Sequence, residues 1–490
     1  MQQGDDEMAN ANGNVIYHEI DFLLPAQRFN INFSYITQKG LPFVREFVLR
    51  LVHLAPMSAS QIASFFGFSR HEVREAIEDL VDRDELTLGA DGRLTLTEKA
   101  SGYFTELGEV PRLSRLQDST VRLAFDLATF SCLGKENFSG KWKAGVQISI
   151  DDEAASHSEQ LVEKNFQQQF HQILNSGFLS KALLEEDGDP PSIYTVNSVS
   201  KIKQMPLRLP VQFRLDEEGS SVERDDFEAL RNSDYVHEQI SLEIDRLHRP
   251  NNLSDIRKAA LEIGDDLTME LLGPSGESLN LQFLEEVNKL EANSLRHRTT
   301  FVGPLYTAGN WALVQTYLAP IIRARRESHS DPAPARLVWV APSDPYWGKS
   351  MRLQASFSEI LAKARAAERP IYSPSIYLPV HGPEDLRSAR QWKREFDPNI
   401  DAVHGLKEGF LGGNVELLYF EDSFVAVVYH AALPTYPVTL PVGFLSADKE
   451  VVRSIGRLLG NYLDGRSGVD QPNDCGRLAQ FGRSVEPERR

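Results

Sequence analysis

The sequence predicts a multidomain protein that combines α+β and α/β organisation. Three observations support this fold class. Residues 41–104 contain three short amphipathic stretches followed by two short strand patterns. Residues 221–300 have the pattern of heavily charged helices, with apolar residues three and four positions apart. From residue 301 to 464, helices alternate with apolar strands, which is typical of an α/β sandwich with a largely buried sheet.

The chain of 490 residues is long enough for about two to four domains, each with its own core. We predict six segments: a disordered start at 1–14, strands and a helix–hairpin module at 15–110, a mixed region at 111–220, a helical region at 221–300, the α/β sandwich at 301–464 and a disordered tail at 465–490. In the mixed region, apolar spacing predicts a helix from Ser114 to Leu133 and another from His157 to Lys181. Extended pieces follow in IYTVNSVSKIKQM and LRLPVQFRLD.

Residues 41–104 have the most specific local pattern. The stretch LPFVREFVLRLVHL predicts a first helix, and Ser58 and Ser69 stand at the N-cap positions of two further helices. The third helix is expected to bury a stripe formed by Val73, Ile77, Leu80 and Val81. LTLGADGRLTLT alternates Leu and Thr on either side of a Gly-rich turn, which predicts a hairpin. This order resembles the winged helix-turn-helix family, and the resemblance implies contact with DNA or a protein–protein joint.

The charges of the third predicted helix argue against a simple DNA-binding interpretation. Between Ser69 and Glu85 there are three arginines and seven acidic residues, and like charge weakens contact with phosphates. The first turns of a recognition helix approach base edges. We therefore predict nucleic-acid contacts at four basic positions, Arg70, His71 and Arg74 on this helix and Arg93 on the hairpin. A solvated acidic face and a docking surface for another subunit remain alternatives.

The strands and helix from Asn414 to Leu463 have a second recognisable order. NVELLYFED, SFVAVVYHAALP, YPVTLPVGFLSAD and KEVVRSIGRLL resemble one half of a phospholipase D-like domain. The resemblance implies a His two residues before a Lys, and an Asp five residues after that Lys. In that family the His attacks a phosphodiester and the Lys neutralises its oxygens. With Asp422 in the Asp position, the His and Lys positions fall on Val415 and Leu417, so we predict a domain without this catalytic pair.

A basic helix is predicted upstream of these strands, in PEDLRSARQWKREFD. Its four cations, Arg387, Arg390, Lys393 and Arg394, lie beside Trp392 at helical spacing. A basic face with an aromatic ring can hold a phosphate backbone or stack on a base, so we predict nucleic-acid contact here as well. The alternative is a solvated helix face paired with neighbouring acidic residues.

Composition sets further limits. The formal net charge of −18 excludes nucleic-acid binding by the surface as a whole and requires a local basic patch. The two cysteines, Cys132 and Cys475, provide neither a disulfide framework nor a cysteine zinc site, which fits a reducing cytoplasm. We find no pattern of a membrane span, a signal peptide, a metal site or a P-loop, and therefore expect no cofactor and no membrane partner.

Three functions fit these patterns. The first is a non-catalytic adaptor that binds nucleic acid or protein within a bacterial DNA-processing or antiphage-defence assembly, whose components this combination resembles. The second is a ligand-responsive transcription regulator, because an archaeal sugar-sensing family also joins a winged helix to a phospholipase D-like sensor. The third is a nuclease or hydrolase with a site around His404, Lys407 and His430. We rank the adaptor first and expect other protein subunits and DNA as partners; a homo-oligomer is compatible with the sequence.

Overall fold

The computed structural model describes residues 15–106, 110–135, 144–180, 183, 189–228, 230–273, 278–292, 298–327, 334–365, 370–465 and 472–482. Within them the chain is a mixed helix and sheet protein with three β-sheets and four hydrophobic cores, which is the coarse fold class expected. The predicted disordered start at 1–14 lies outside the described residues.

The first part of the chain has one long strand, a group of helices and a hairpin. These elements are β1 (Val15–Gly40), α1 (Phe43–Leu54), α2 (Ala59–Phe66), α3 (Arg70–Asp82), β2 (Leu86–Leu88), β3 (Leu94–Leu96) and α4 (Glu98–Ser101). Ser58 and Ser69 cap α2 and α3 as expected, each in a capping box. Val73 and Leu80 are buried between the helices, but Val81 is 42% exposed. Adjacent residues lie about 100° apart around a helix, so α3 cannot turn both Leu80 and Val81 into one core.

The first sheet contains strands from before and after residue 110, where a domain boundary was predicted, and these strands form long antiparallel pairs. Its further strands and the helices beside it are β4 (Arg112–Asp126), β5 (Cys132–Gly134), β6 (Val146–Gln147), α5 (Asp152–Ser156), α6 (Ser158–Asn175) and β7 (Asp189–Leu215). β1 pairs with both β4 and β7, so it belongs with the middle region and not with the helices that follow it. Phe33 of β1 packs against Phe166 and Phe170 of α6, which places α6 over this sheet.

The prediction of a helix from Ser114 to Leu133 is wrong, because this segment forms strand β4 followed by a turn and β5. Val121, Leu123 and Phe125 are buried in alternation, which is the spacing of a strand with one face on a core. Leu116, which fitted the helical pattern, is 59% exposed. The pairing of β4 with β1 over its whole length overrides the local helical spacing.

In the described part of the segment predicted to be helical, helices form a layer between the two large sheets. Its helices are α7 (Ser233–Leu247), α8 (Leu253–Ile263), α9 (Asp266–Leu271) and α10 (Leu281–Ala292). Their apolar faces share one core with the first half of β1 and with one face of the second sheet.

The second sheet has eight strands and carries helices on both faces. The elements in chain order are β8 (Arg298–Val302), α11 (Ala308–Glu327), β9 (Ala335–Val340), α12 (Met351–Arg365), β10 (Tyr372–Val380), α13 (Leu386–Glu395), β11 (Val403–Lys407), β12 (Val415–Phe420), β13 (Phe424–Ala431), β14 (Leu440–Ser446), α14 (Lys449–Asp464) and β15 (Asp474–Arg477). The strand order is β15-β11-β10-β9-β12-β13-β14-β8, with β9, β10 and β11 parallel. Helices α11, α12 and α13 share a core with one face, while α14 and the helical layer share the core on the other.

The tail predicted to be disordered from residue 465 is ordered in part. Strand β15 pairs with β11, and the Leu478 and Phe481 side chains enter the core beneath α13. These two apolar residues hold the segment to the domain despite its polar composition. Residues 466–471 and 483–490 lie outside the described part.

No helix among the described residues is both long enough and apolar enough to cross a membrane.

Candidate functional site

The predicted basic residues of the helical module are all exposed at its surface. Arg70, His71 and Arg74 are exposed in the first turns of α3, directly after the Ser69 cap, and Arg93 is exposed in the turn between β2 and β3. Within the described residues, Arg70 and Arg74 have no hydrogen bond or ion pair through their side chains. Their guanidinium groups are therefore available to an external anion.

Four of the seven acidic residues in this segment are engaged by other groups. The Glu72 carboxylate accepts a hydrogen bond of 2.7 Å from the Ser69 backbone N–H, which lowers the pKa of Glu72. Glu85 is buried, where it pairs with Arg45 and accepts a bond of 3.0 Å from the Tyr103 hydroxyl. The other engaged pairs are Glu75 with His71 at 3.5 Å and Asp79 with Arg83 at 2.8 Å. Only Glu85 is withdrawn from solvent, while Glu72, Glu75 and Asp79 keep exposed carboxylates on α3.

The second predicted basic set lies on α13 and divides into two groups. Arg387, Arg390 and Arg394 are exposed, without an ion pair among the described residues. Lys393 is partly buried and donates to the Phe481 carbonyl oxygen at 3.0 Å, so it anchors the C-terminal segment. Trp392 donates to the Pro379 carbonyl oxygen at 3.1 Å, and its ring is partly covered. Three of the four predicted cations are thus free at this surface.

The two positions that correspond to the phospholipase D-like catalytic pair are buried. Val415 and Leu417 on β12 are 1% and 0% exposed and pack in the core beside the helical layer. His404 and Lys407, the other pair considered, lie on β11, and three strands separate β11 from His430 on β13. The structure therefore does not bring His404, Lys407 and His430 into one site.

His430 instead belongs to a buried network that we call the His430 network, formed by Asp344, Glu416, His430 and Thr439. The Nδ1 atom of His430 lies 2.7 Å from Asp344 Oδ2, and the Nε2 atom of His430 lies 3.4 Å from Glu416 Oε2. The Thr439 hydroxyl donates to the same Asp344 oxygen at 2.7 Å. Trp339 Nε1 donates to Glu416 Oε1 at 3.0 Å. These contacts join the loop after β9 to strands β12 and β13.

The electrostatics of this network follow from burial and pairing. Burial alone lowers the pKa of His430, but its hydrogen bonds to Asp344 and Glu416 outweigh burial and raise that pKa to about 9. Burial raises the pKa of Asp344, but the bond from His430 outweighs it and brings that pKa to about 2. The imidazolium and the Asp344 carboxylate are therefore both charged at neutral pH.

A second histidine lies beside this network in a contrasting state. His18 on β1 is fully buried, and neither of its ring nitrogens has a hydrogen-bond partner among the described residues. Burial lowers the pKa of His18 to about 4, although the charge of Asp344 acts in the opposite direction. His18 is therefore neutral where His430 is protonated.

Sequence reasoning considered His430 but missed its two partners Asp344 and Glu416, the Thr439 hydroxyl that bonds to Asp344, and His18. Glu416 was detectable as a single acidic residue inside the apolar run VELLYF, and Asp344 as a carboxylate just after the apolar strand ARLVWV. No group of three or more His, Cys, Asp or Glu side chains in the described part of the chain is placed to hold a metal ion.

No protein-family model matches this chain, and no curated protein is significantly similar to it in sequence.

Proposed function

We propose that this chain is a non-catalytic nucleic-acid-binding adaptor in which residues 41–104 form a winged helix that contacts DNA. The exposed, unpaired Arg70 and Arg74 in the first turns of α3 are the observation that carries the proposal. In this class of module those turns enter the major groove, and the hairpin follows the backbone. Arg93 in the hairpin turn is exposed for such a phosphate contact.

The engaged acidic residues support this orientation. Glu85 lies in the core of the module and does not face an approaching phosphate, whereas the exposed Glu72 carboxylate is held at the Ser69 backbone N–H of the N-cap. Asp79, Asp82 and Asp84 lie towards the far end of α3 and beyond it, away from the turns that approach DNA. A helix that presents its first turns can therefore bind despite an acidic second half.

Binding without hydrolysis is the better proposal for the C-terminal region, which we propose is a degenerate phospholipase D-like sandwich. Val415 and Leu417 are buried hydrocarbon side chains and supply neither a nucleophile nor a cation. His430 is protonated and held between two carboxylates, so its ring has no free lone pair with which to attack or to accept a proton.

Docking of another protein on the helical module is the second candidate function. Phe43, Phe65 and Leu88 are 70%, 66% and 65% exposed on α1, α2 and β2. Exposed large apolar side chains in one small module favour a protein contact. Such a contact is compatible with an adaptor that also binds DNA.

Fluorescence anisotropy with labelled duplex and single-stranded DNA, at low and at physiological salt, tests the proposal. The variant Arg70→Glu/Arg74→Glu should weaken duplex binding about tenfold or more and reduce its dependence on salt. Arg453→Glu/Arg457→Glu is the matched control, because these exposed arginines have the same spacing on α14. An equal loss of duplex affinity in both variants would mean that DNA responds only to the net charge of the protein. Absence of binding at low salt would overturn the DNA proposal and favour protein docking.

A third variant, Arg387→Glu/Arg390→Glu, asks whether α13 adds a second contact. If it weakens binding as strongly as the α3 variant, nucleic acid spans both regions of the chain. If only the α3 variant weakens binding, the helical module carries the contact alone.

A further inference from the structure

A cavity of about 500 Å³ opens at the carboxyl ends of the parallel strands β9 and β10. Its volume lies in the range of sites for small molecules. Ligands of open α/β sheets characteristically bind outside the carboxyl ends of the strands, where loops and helix ends meet. Here the wall comes from the loop after β9, from α13 and from the residues that follow α7.

The loop after β9 is held rigidly, which makes it a suitable wall. Asp344 in this loop is bound by His430 and Thr439, and its other oxygen accepts the Tyr346 backbone N–H at 3.0 Å. The Lys349 carbonyl oxygen accepts the Asp21 backbone N–H from β1 at 2.7 Å. The loop is therefore fixed both by the His430 network and by the first sheet.

The cavity is lined by carboxylates and cations, and two of its cations are paired with no acidic residue in the described part of the chain. Arg249 and Arg394 line it, and neither has a hydrogen bond or ion pair among the described residues. Three of the four carboxylates on the wall are paired with cations: Asp344 with His430 at 2.7 Å, Glu243 with Arg246 at 2.6 Å and Glu395 with Lys349 at 3.1 Å. The fourth, Glu408, is half exposed and lies 3.5 Å from the ring of His381. Two unpaired guanidinium groups on the lining of one cavity suit a phosphate group, which accepts charge-assisted hydrogen bonds from arginine.

Two buried polar atoms on the same wall lack partners. Trp347 is 1% exposed, and its indole Nε1 has no hydrogen-bond partner among the described residues. Glu395 is 4% exposed, and its Oε2 is likewise unpaired, although its Oε1 accepts from Lys349 and Gln391. Such buried groups normally find partners. Because neither atom is accessible from the cavity in this structure, a polar ligand would reach them only after a small shift of the Trp347 and Glu395 side chains.

We propose that this cavity binds a phosphorylated small molecule of about mononucleotide size. Arg249 and Arg394 hold the phosphate, Trp347 Nε1 donates to one of the ligand's acceptors, and Glu395 Oε2 accepts from one of its donors. The site goes beyond DNA binding by the helical module and does not depend on it, because none of these residues belongs to residues 41–104.

Isothermal titration calorimetry with AMP, inorganic phosphate and adenosine tests the assignment on the full chain without DNA. AMP should bind, phosphate should bind more weakly, and adenosine should give no signal because the two arginines require the phosphate. The variant Arg249→Ala/Arg394→Ala should weaken AMP binding about tenfold or more. Arg387→Ala/Arg390→Ala is the control, since these arginines lie on α13 outside the cavity and should leave AMP affinity unchanged.

The variant Trp347→Phe separates hydrogen bonding from charge, because it keeps an aromatic ring and removes the N–H. It should also weaken AMP binding, with circular dichroism as the check that the variant is folded. The arginine variant keeps the test decisive even if Trp347→Phe fails to fold, because both arginines are unpaired in the structure. Absence of heat with both AMP and phosphate, adenosine binding as tight as AMP binding, or unchanged AMP affinity in Arg249→Ala/Arg394→Ala would each overturn the site.

Discussion

Two sets of charged side chains in this molecule have opposite surroundings. At the start of α3, Arg70 and Arg74 stand in solvent without an ion pair among the described residues. Where β9, β12 and β13 meet, the ionised groups of the His430 network are buried and bonded to one another. A buried charge is tolerated only when it is paired, whereas an exposed one costs little and stays available. The surroundings thus leave the first set available to a partner and commit the second to the fold.

The largest expected change in stability comes from disrupting the His430 network. Asp344→Ala removes the carboxylate that pairs with His430 and accepts from Thr439, and leaves a buried imidazole with only a 3.4 Å contact to Glu416. Removing one partner of a buried ion pair costs about 3–5 kcal/mol. Urea unfolding followed by circular dichroism should show this loss. Asp82→Ala, at an exposed position on α3, should change the free energy of unfolding by no more than about 0.5 kcal/mol. Similar small values for both variants would contradict a stabilising role for the His430 network.

The next largest effect is a dependence of stability on pH, with one loss of stability at acid pH (the acid limb) and another at alkaline pH (the alkaline limb). His18 stays neutral in the folded state because its pKa is lowered from 6.5 to about 4, so the unfolded chain takes up this proton first and stability falls as the pH drops from about 6.5 to about 4. The pKa of His430 is raised from 6.5 to about 9, so its contribution is complete below about pH 6.5 and is lost as the pH rises through about 9. Each limb is worth about 3 kcal/mol.

Thermal unfolding monitored across this pH range should therefore give a maximum near pH 6.5. The variant His18→Leu removes a buried ring that has no hydrogen bond among the described residues, and it should flatten the acid limb while leaving the alkaline limb in place. An acid limb that is unchanged in His18→Leu would exclude His18 as its source.

These buried groups also mark the limit of what the sequence could predict. The helices within residues 221–300, and the strands and helix from NVELLYFED to KEVVRSIGRLL, lie where their patterns predicted them, because amphipathic helices and fully buried strands produce strong local patterns. Asp344, Glu416 and His430 come together only through the order of β9, β12 and β13, which no local pattern encodes. Glu416 and Asp344 could be singled out in the sequence, but their pairing with His430 could not be predicted, whereas the helix caps at Ser58 and Ser69 could.

The prediction for strand β4 of the first sheet was wrong for a related reason. β1 joins β4 and β7 through pairs of residues about a hundred positions and more apart, such as Phe33 with Ser119 and with Val196. Local apolar spacing around Leu116 imitated a helix, and only the alternation of Val121, Leu123 and Phe125 pointed to a strand. The four basic residues predicted on α3 and the hairpin were found because an exposed cluster of short sequence separation needs no knowledge of pairing.

A smaller effect is expected at the two helix caps, which connect the exposed set to the fold. Ser58→Ala and Ser69→Ala each remove a side chain that accepts a backbone N–H at a helix start, and each should cost about 1 kcal/mol of stability. Both losses are measured by urea unfolding. Only Ser69→Ala should also weaken duplex DNA binding, because Ser69 orders the turn that carries Arg70. Equal DNA affinity in the two variants would mean that the start of α3 is not part of the DNA interface.

The smallest effect tests whether the exposed charges act as a unit. Glu75→Gln removes a carboxylate that lies 3.5 Å from His71 and follows Arg74, so it leaves more net positive charge in the first turns of α3. Duplex DNA affinity, measured by anisotropy, should rise a few-fold, which corresponds to less than about 1 kcal/mol. Asp82→Asn makes the same change of charge at the other end of the helix and should raise the affinity less. An equal rise in both variants would mean that DNA senses only the net charge of the chain, and an unchanged affinity in Glu75→Gln would place the contact away from these turns.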